Sequence, residues 1–160
     1  MVTEGDTAPD FTPPMRTPDG DITEFDLSSA IDDGPVVLAF FPGAFTSVCT
    51  GEMRTFRDRL DNIADAGASL YGVSIDSPFS LGEFAEQNEL TFPLISDTNK
   101  EVIDAYDVVM DFDDLGITGV AKRSVFVVDE DGTITYAWVS DDPGVEPDYD
   151  EVETAAADAA

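Results

Sequence analysis

The sequence has no histidine and a single cysteine, Cys49. The absence of imidazole excludes a Cys-His catalytic dyad, histidine acid-base catalysis and most zinc sites. A lone cysteine cannot form a disulfide within the chain, so the sequence gives no sign of an oxidising compartment. Cys49 is therefore either an inert buried thiol or a reactive one, and its sequence surroundings must distinguish the two.

Positive charge is also scarce, because 7 Lys and Arg residues face 35 Asp and Glu residues, for a formal net charge of −28. Repulsion of this size excludes nucleic acid and anionic membrane surfaces as partners. The acidic residues are spread along the whole chain, as expected of a solvated acidic surface. Concentrated salt screens such repulsion, so we interpret the composition as a halophilic adaptation, with an ordinary acidic protein as the alternative.

Long apolar segments are missing as well. No stretch approaches the roughly 18 apolar residues of a membrane span, and the N-terminus lacks the pattern of a signal peptide. We therefore predict a cytoplasmic protein with no membrane partner. The 160 residues suit a single domain over 1–160. We expect neither a metal nor an organic cofactor.

Apolar stretches alternate with amphipathic ones, which predicts an α/β fold with a largely parallel central sheet flanked by helices. The predicted strands are Pro35–Phe41, Leu70–Ile75, Phe92–Ile95, Ser124–Val128 and Thr133–Val139. The last two are predicted to form an antiparallel hairpin, which makes the sheet mixed and suggests a thioredoxin-like core. The predicted helices run from near Cys49 to Gly67, from Pro78 after the capping residue Ser77, over Asn99–Tyr106, and over Tyr149–Ala160 with Val152 as its anchor.

Cys49 falls in the first turn of the helix that follows the first buried strand. A thiol reacts as its thiolate, and at an ordinary pKa near ~8.5 little thiolate is present at neutral pH. Unpaired backbone N–H groups and the positive end of the helix dipole favour the anion at such a position. An arginine that the fold brings alongside would favour it further.

Three neighbours of Cys49 carry side chains or backbone features that suit a reactive thiol. Pro42 ends the strand, Thr46 offers a hydroxyl three residues before the thiol, and Glu52 lies one helical turn after it, where a carboxylate could orient a guanidinium. Each also has an ordinary explanation: a strand terminator, a turn hydroxyl and a first-turn acid. Only their combination is specific.

The pattern Pro-x-x-x-Thr-x-x-Cys, formed by Pro42, Thr46 and Cys49, resembles the active-site signature of the peroxiredoxins, the alkyl hydroperoxide reductase C and thiol-specific antioxidant family. Residues 5–11 resemble the N-terminal segment of that family, and 123–129 resemble its late arginine before a strand. The loop is most similar to the one-cysteine, alkyl hydroperoxide reductase E-like branch, with the bacterioferritin-comigratory-protein branch second.

The resemblance implies a thioredoxin-like fold with a peroxiredoxin-type N-terminal extension, in which Cys49 attacks a peroxide and becomes a sulfenic acid. By carry-over, Thr46 would hydrogen-bond the thiolate and the peroxide, and Pro42 would shield the sulfenic acid. Arg123 would stabilise the thiolate and the developing charge, and Glu52 would hold the arginine. The role of Arg123 rests on the resemblance alone.

The same resemblance implies the partners. The substrates would be hydrogen peroxide and organic hydroperoxides. Because the chain has no second cysteine, an external thiol or a thioredoxin- or glutaredoxin-like reductant would regenerate Cys49. The family also implies a homodimer through the active-site edge, with a monomer as the alternative. Two rival functions stay open: a redox sensor or adaptor signalling through oxidised Cys49, and a scaffold whose thiol is incidental.

Two other groups of residues receive ordinary interpretations. Arginines on the helix after Cys49 are spaced for ion pairs one turn apart, as Arg54–Asp58 and Arg57–Asp61. Three aromatic residues could line a peroxide pocket or a dimer interface, but we assign them to the core: Phe45, Phe79 and Trp138.

Overall fold

A computed structural model describes residues 2–160, and the fold is built around a seven-stranded mixed sheet. From one edge to the other, its strands are β2 (Ile22–Glu24), β1 (Pro14–Arg16), β5 (Leu94–Ser96), β4 (Ser69–Ser74), β3 (Val36–Phe40), β8 (Ser124–Val128) and β9 (Ile134–Val139). A separate antiparallel pair consists of β6 (Val109–Phe112) and β7 (Ile117–Ala121). The strands β3, β4 and β5 run parallel, and β8 is antiparallel to β3.

Helices cover both faces of this sheet. They are α1 (Leu27–Ala30), α2 (Ser47–Asp58), α3 (Leu60–Asp65), α4 (Pro78–Gln87), α5 (Glu101–Ala105) and α6 (Tyr149–Ala159). Two short 3-10 helices, Ile31–Asp33 and Asp113–Leu115, lie between these elements. Ser77 caps α4 by accepting a hydrogen bond from the Ser80 N–H, and Pro78 takes the first helical position, as the sequence predicted.

The central strand β3 is buried along its whole length, which explains its unbroken apolar sequence. Its side chains alternate between two cores. Val37, Ala39 and Phe41 point to the core beneath α2, α4 and α6, whereas Leu38 and Phe40 point to the core beneath α1 and α5. The helix α2, which carries Cys49, therefore follows a strand that is buried on both faces.

The predicted hairpin and the predicted C-terminal helix are confirmed. β8 pairs with β9 around a turn in which the Asp129 carboxylate accepts the N–H groups of Asp131 and Thr133. Val152, the predicted anchor of α6, is fully buried. The N-terminal segment lies along the same hairpin, since Gly5 N–H donates to the Ile134 carbonyl at 2.8 Å.

The structure differs from the sequence prediction in several local features. The helix predicted to continue to Gly67 breaks at Arg59, which separates α2 from α3. The short strands β1 and β2 and the β6–β7 hairpin were not predicted, because they are mostly exposed or half-buried and so lack the unbroken apolar run that identified β3.

The predicted ion pairs on the helix after Cys49 were wrong. Arg54 donates to the side chain of Asn88, and Arg57 pairs with the adjacent Asp58 at 2.8 Å and donates to the Asn88 carbonyl. Both arginines therefore connect α2 to the end of α4. Hydrogen bonds to Asn88 at the end of α4 thus replace the predicted ion pairs with Asp58 and Asp61 one helical turn away.

The assignment of three aromatic residues to the core was wrong for two of them. Phe45 is 54% exposed and Phe79 is 76% exposed, whereas Trp138 is half-buried and packs against the core.

Among residues 2–160, no helix is both long enough and apolar enough to cross a membrane.

Candidate active site

Cys49 is held by the transition from β3 to α2. The Phe41 N–H still bonds to the Val73 carbonyl at 2.9 Å, so the sheet fixes the chain directly before the loop. The loop over 42–46 then turns the chain, and Thr46, in an extended conformation, precedes the first residue of α2. Cys49 lies in the first helical turn, as predicted, and is only 1% exposed. Its sulfur therefore lies close to the N-terminal end of the helix dipole.

Arg123 reaches the sulfur from the other side. Its Nη2 lies 3.1 Å from Cys49 Sγ, and its Nη1 donates to Glu52 Oε1 at 2.7 Å. Its Nε and Nη2 also donate to the Pro143 carbonyl, at 3.1 and 3.0 Å. Four hydrogen bonds to three residues fix the plane of the guanidinium, which is the geometry that arginine supplies and lysine cannot.

The position of Arg123 follows from the sheet register. It directly precedes β8, whose first residue Ser124 lies opposite Phe40 at the end of β3. Because β8 runs antiparallel to β3, its beginning lies where β3 ends, next to the loop that carries Cys49. The arginine that the sequence connected to Cys49 only by resemblance is thus brought to the thiol by strand pairing.

Glu52 is fully buried and pairs with Arg123. Burial raises the pKa of Glu52 to about 8, although the Arg123 guanidinium acts in the opposite direction, and the nearby Glu146 raises it further. Its Oε1 accepts from Arg123, while its Oε2 is buried with no hydrogen-bond partner among the described residues. Burial disfavours the ionised form of this carboxyl group, and the Arg123 guanidinium stabilises that form.

The charge on Arg123 is secure in this site. Burial lowers its pKa, but Glu52 and Cys49 raise it by more, so the net shift is upward. The buried guanidinium, only 1% exposed, therefore places a permanent positive charge in contact with the Cys49 sulfur. The electrostatics of the site therefore suit a nucleophilic cysteine.

Thr46 and Pro42 also line the space around the sulfur, but one expected contact is absent. The Thr46 hydroxyl donates to the Gly43 carbonyl at 2.9 Å instead of to Cys49. Its lone pairs stay free to accept a hydrogen bond. Pro42 is buried and forms part of the pocket wall beside Cys49.

A pocket of about 280 Å³ opens onto Cys49 and Arg123. Its walls are mainly apolar: Pro42, Val48, Phe112, Leu115, Pro143 and Gly144, with Thr46 and Ser47 as the polar contributions. Phe112 and Leu115 come from the β6–β7 hairpin, and Leu115 is 71% exposed at the rim.

The structure thus brings together all five residues predicted from the sequence: Cys49, Thr46, Pro42, Arg123 and Glu52. Sequence reasoning missed the pocket residues Phe112, Leu115 and Pro143. The apolar side chains of the acidic segment 109–117 are the signal that could have found the first two, since exposed apolar residues on so acidic a surface are unusual. Among residues 2–160, no group of three acidic or cysteine side chains could hold a metal ion.

Comparison with known proteins agrees with this geometry. The model of the AhpC/TSA family matches residues 4–137. The peroxiredoxin-family protein MT2597 of Mycobacterium tuberculosis is 40% identical over 138 residues, which are 85% of this chain and 84% of that protein. Alkyl hydroperoxide reductase E of Mycobacterium bovis is 35% identical over 139 residues, which are 86% of this chain and 85% of that protein.

Solved structures show the same fold. The crystal structure of peroxidoxin BcpB from Mycobacterium tuberculosis superposes with a TM-score of 0.83 at 32% identity, covering 98% of this chain and 97% of that one. The reduced 2-Cys peroxiredoxin of Plasmodium vivax superposes with a TM-score of 0.85 at 25% identity, covering 97% of this chain and 94% of that one. The predicted thioredoxin-like peroxiredoxin fold with a mixed central sheet is confirmed. The chain belongs to the AhpC/TSA family, the peroxiredoxins, which are thiol peroxidases.

Proposed function

We propose that this chain reduces hydrogen peroxide and organic hydroperoxides by a one-cysteine mechanism in which Cys49 is the nucleophile. The observation that carries the proposal is the contact of 3.1 Å between the Arg123 guanidinium and the buried Cys49 sulfur. A thiol buried for packing alone needs no charged partner, and burying a guanidinium beside it would be costly without a function for the charge.

In the first step, the Cys49 thiolate attacks one oxygen of the peroxide. An S–O bond forms while the O–O bond breaks, so the sulfur is oxidised to sulfenic acid and the peroxide is reduced to water or an alcohol once the leaving oxygen takes up a proton. Arg123 stabilises the thiolate and the charge that develops on the oxygens. The free lone pairs of Thr46 accept the hydrogen bond of the peroxide O–H and orient the O–O bond.

In the second stage, an external thiol regenerates the enzyme. One thiol attacks the sulfenic sulfur, which forms a mixed disulfide and releases water. A second thiol then attacks this disulfide, which frees Cys49 and yields the oxidised disulfide of the reductant. Cys49 is the only cysteine in the sequence, so no internal disulfide can take over this step. Pro42, in the pocket wall, protects the sulfenic acid between the two stages.

The pocket supports organic hydroperoxides as substrates besides hydrogen peroxide. Its volume of about 280 Å³ exceeds by far the space that hydrogen peroxide needs. The mainly apolar walls would bury a hydrocarbon substituent while Arg123 and Thr46 hold the peroxide group.

We also propose a homodimer through the active-site edge. Phe45, in the loop before Cys49, packs on Phe84 of α4 at 5.4 Å between ring centroids, and Phe79 lies in the first turn of the same helix. Both exposed rings support an interface on this side of the molecule, because a second copy would remove them from water. Sedimentation of the wild-type protein and of Phe79→Asp tests this, with a dimer expected for the first and weakened association for the second.

The setting of the enzyme is a further part of the proposal. The net charge of −28 supports a protein that works in concentrated salt, where the repulsion is screened. We propose the cytoplasm as its compartment, since its reaction requires a supply of reducing thiols.

The test is peroxide consumption in concentrated salt with dithiothreitol as the thiol, together with the intact mass after one equivalent of peroxide. We expect catalytic turnover and one added oxygen, both lost in Cys49→Ser. If Cys49 gains one oxygen but neither a small thiol nor thioredoxin supports catalytic turnover, the result would favour the redox-sensor alternative instead. No added oxygen would reject both.

A further inference from the structure

The β6–β7 hairpin forms one wall of the active-site pocket, yet only its base is buried. Val120 and Ala121, near the base, are buried, whereas every residue of the outer part, 111–119, is exposed or half-buried. This outer part carries Phe112 and Leu115, the two residues of the hairpin that line the pocket. Burial in the core therefore fixes the base of the hairpin but not the pocket wall itself.

The pairing of β6 with β7 is irregular between the base and the wall. Met110 pairs with Val120, but the next pair is Phe112 with Ile117, because the register shifts in between. One residue of β6 thus faces two residues of β7, 118–119, which is the arrangement of a β-bulge. A bulge bends the hairpin locally, so the paired base alone does not fix the direction of the outer part.

Lys100 contacts the hairpin at this bulge. Its Nζ donates to the Thr118 carbonyl at 3.0 Å. Its side chain crosses Gly119, where a Cβ would lie only 2.8 Å from Nζ and where φ is 70°, so glycine is required at this position. Among residues 2–160, no other hydrogen bond connects 109–119 with an element outside the hairpin. The hydrogen bond from Lys100 therefore connects the outer part to the rest of the fold.

The backbone of Lys100 is itself fixed by the central sheet. Its N–H donates to the carbonyl of Asp97 at 2.9 Å, and Asp97 directly follows β5. The Asp97 side chain is buried and accepts the N–H groups of Val102 and Ile103 at 3.1 and 2.9 Å. Lys100 therefore extends from a rigid part of the molecule toward the less constrained hairpin.

Ordinary explanations do not account for a lysine at position 100. Its φ of 61° is a left-handed conformation that costs free energy in a residue with a Cβ. The sequence has one other lysine, Lys122, which pairs with Asp141. Lys100 makes no ion pair among residues 2–160, although the chain has 35 Asp and Glu residues. Its contact with the hairpin is thus the specific interaction that this ammonium group makes.

We propose that Lys100 is a positioning residue that holds the outer part of the β6–β7 hairpin against the pocket and thereby increases the reactivity of Cys49 with organic hydroperoxides relative to hydrogen peroxide. The proposal rests on the proposed peroxidase function. A hydrocarbon substituent is bound well only by molecules in which Phe112 and Leu115 are in place, so the apparent affinity decreases with the fraction of such molecules. Hydrogen peroxide needs only the groups around Cys49 that react with it, and none of these lies on the hairpin.

The test compares cumene hydroperoxide with hydrogen peroxide in wild type, Lys100→Met and Lys100→Arg. Stopped-flow mixing gives the second-order rate constant of sulfenic acid formation with each peroxide. Methionine keeps an unbranched stem across Gly119 but donates no hydrogen bond. The constant for cumene hydroperoxide should therefore fall about three- to tenfold, the range for the loss of one hydrogen bond, and that for hydrogen peroxide should stay the same. Lys100→Arg keeps a cationic donor and should recover most of the loss.

Lys122→Met is the matched control, because it removes the same charge from a lysine that pairs with Asp141 and not with the hairpin. It should leave the ratio of the two rate constants unchanged. The double variant of Lys100→Met and Leu115→Ala tests whether Lys100 acts through the pocket wall. Its loss with cumene hydroperoxide should be smaller than the product of the two single losses.

Amide hydrogen exchange provides a readout that does not depend on activity. The N–H groups of 109–119 should exchange faster in Lys100→Met than in wild type, while those of β8 should exchange at the same rate. Wild-type exchange in 109–119, or a wild-type ratio of the two rate constants, would show the proposal to be wrong, and so would an equal fall of both constants. Failure of the wild type to react with hydrogen peroxide would instead reject the peroxidase function, and the exchange result would still decide whether Lys100 holds the hairpin.

Discussion

Arg123 Nη2 lies 3.1 Å from Cys49 Sγ, although the two residues are 74 positions apart in the sequence. The contact exists because β3 ends where the antiparallel β8 begins, with Phe40 opposite Ser124. The site is therefore a product of sheet register, and α2 adds the favourable end of its dipole. The contact between Arg123 and Cys49 should therefore determine how fast Cys49 reacts with peroxide.

Replacement of Arg123 by lysine should slow sulfenic acid formation by about 10²- to 10³-fold, the usual effect of losing a preorganised donor to developing charge. Lysine keeps the positive charge but cannot contact Cys49, Glu52 and Pro143 at once, as the guanidinium does. Stopped-flow fluorescence with hydrogen peroxide measures the rate. A Lys122→Arg variant, altered at the neighbouring cation that pairs with Asp141, is the control and should react normally.

Glu52 should make the stability of the protein depend on pH. Its pKa is about 8 in the folded protein and 4.5 in its ordinary state, so the folded state binds the proton more tightly between these values. The stabilisation from this group is fully present below about pH 4.5 and is lost as the pH rises through about 8.

Urea unfolding of wild type and Glu52→Gln measures this effect, because glutamine keeps the acceptor for Arg123 but does not titrate. The free energy of unfolding of wild type relative to the variant should fall as the pH increases from 5 to about 8. A difference that stays constant across this range would show that Glu52 is already ionised in the folded state at pH 5 and that its pKa is not raised.

The apolar pocket should control the choice of peroxide. Leu115→Ala removes part of the pocket wall that a hydrocarbon substituent would contact. The value of kcat/KM for cumene hydroperoxide should therefore fall several-fold, because the substrate loses the apolar contacts of a few methylene groups. The value for hydrogen peroxide, which does not reach that wall, should stay the same. Ile117→Ala changes an exposed apolar residue of the same hairpin outside the pocket and should leave the ratio of the two values unaltered.

Salt should stabilise the fold mainly by screening. With a net charge of −28, the free energy of unfolding should increase steeply at low KCl concentration and level off near about 1 M, where the Debye length has fallen to about 3 Å. Thermal unfolding over a KCl series measures this, with sucrose as a neutral control. A gain that increases linearly with salt and matches that of sucrose would instead indicate exclusion of the solute from the protein surface.

The central elements of the fold could be predicted because their signals are local. An unbroken apolar run identified β3, and a proline after a capping serine identified the start of α4. The turn before Ile134 identified the β8–β9 hairpin. In each case a few adjacent residues carry the whole physical argument, so the sequence was sufficient.

The site could be predicted only in part. Cys49, Thr46 and Pro42 lie within one loop and its helix, where spacing alone places them together. The contact of Arg123 with Cys49 depends on the order of the strands, which no local pattern encodes. The hydrogen bond of Thr46 to Gly43 agrees with the ordinary turn-hydroxyl explanation, but the sequence could not decide between this bond and a contact with Cys49, since only the folded turn presents the acceptors.

The most direct test of the account is the second-order rate constant for the reaction of reduced Cys49 with hydrogen peroxide in concentrated salt, compared with that of free cysteine under the same conditions. The contact with Arg123 predicts a reaction faster by several orders of magnitude, with one added oxygen that is absent in Cys49→Ser. A rate equal to that of free cysteine would contradict the account and leave Cys49 as an inert thiol of the core.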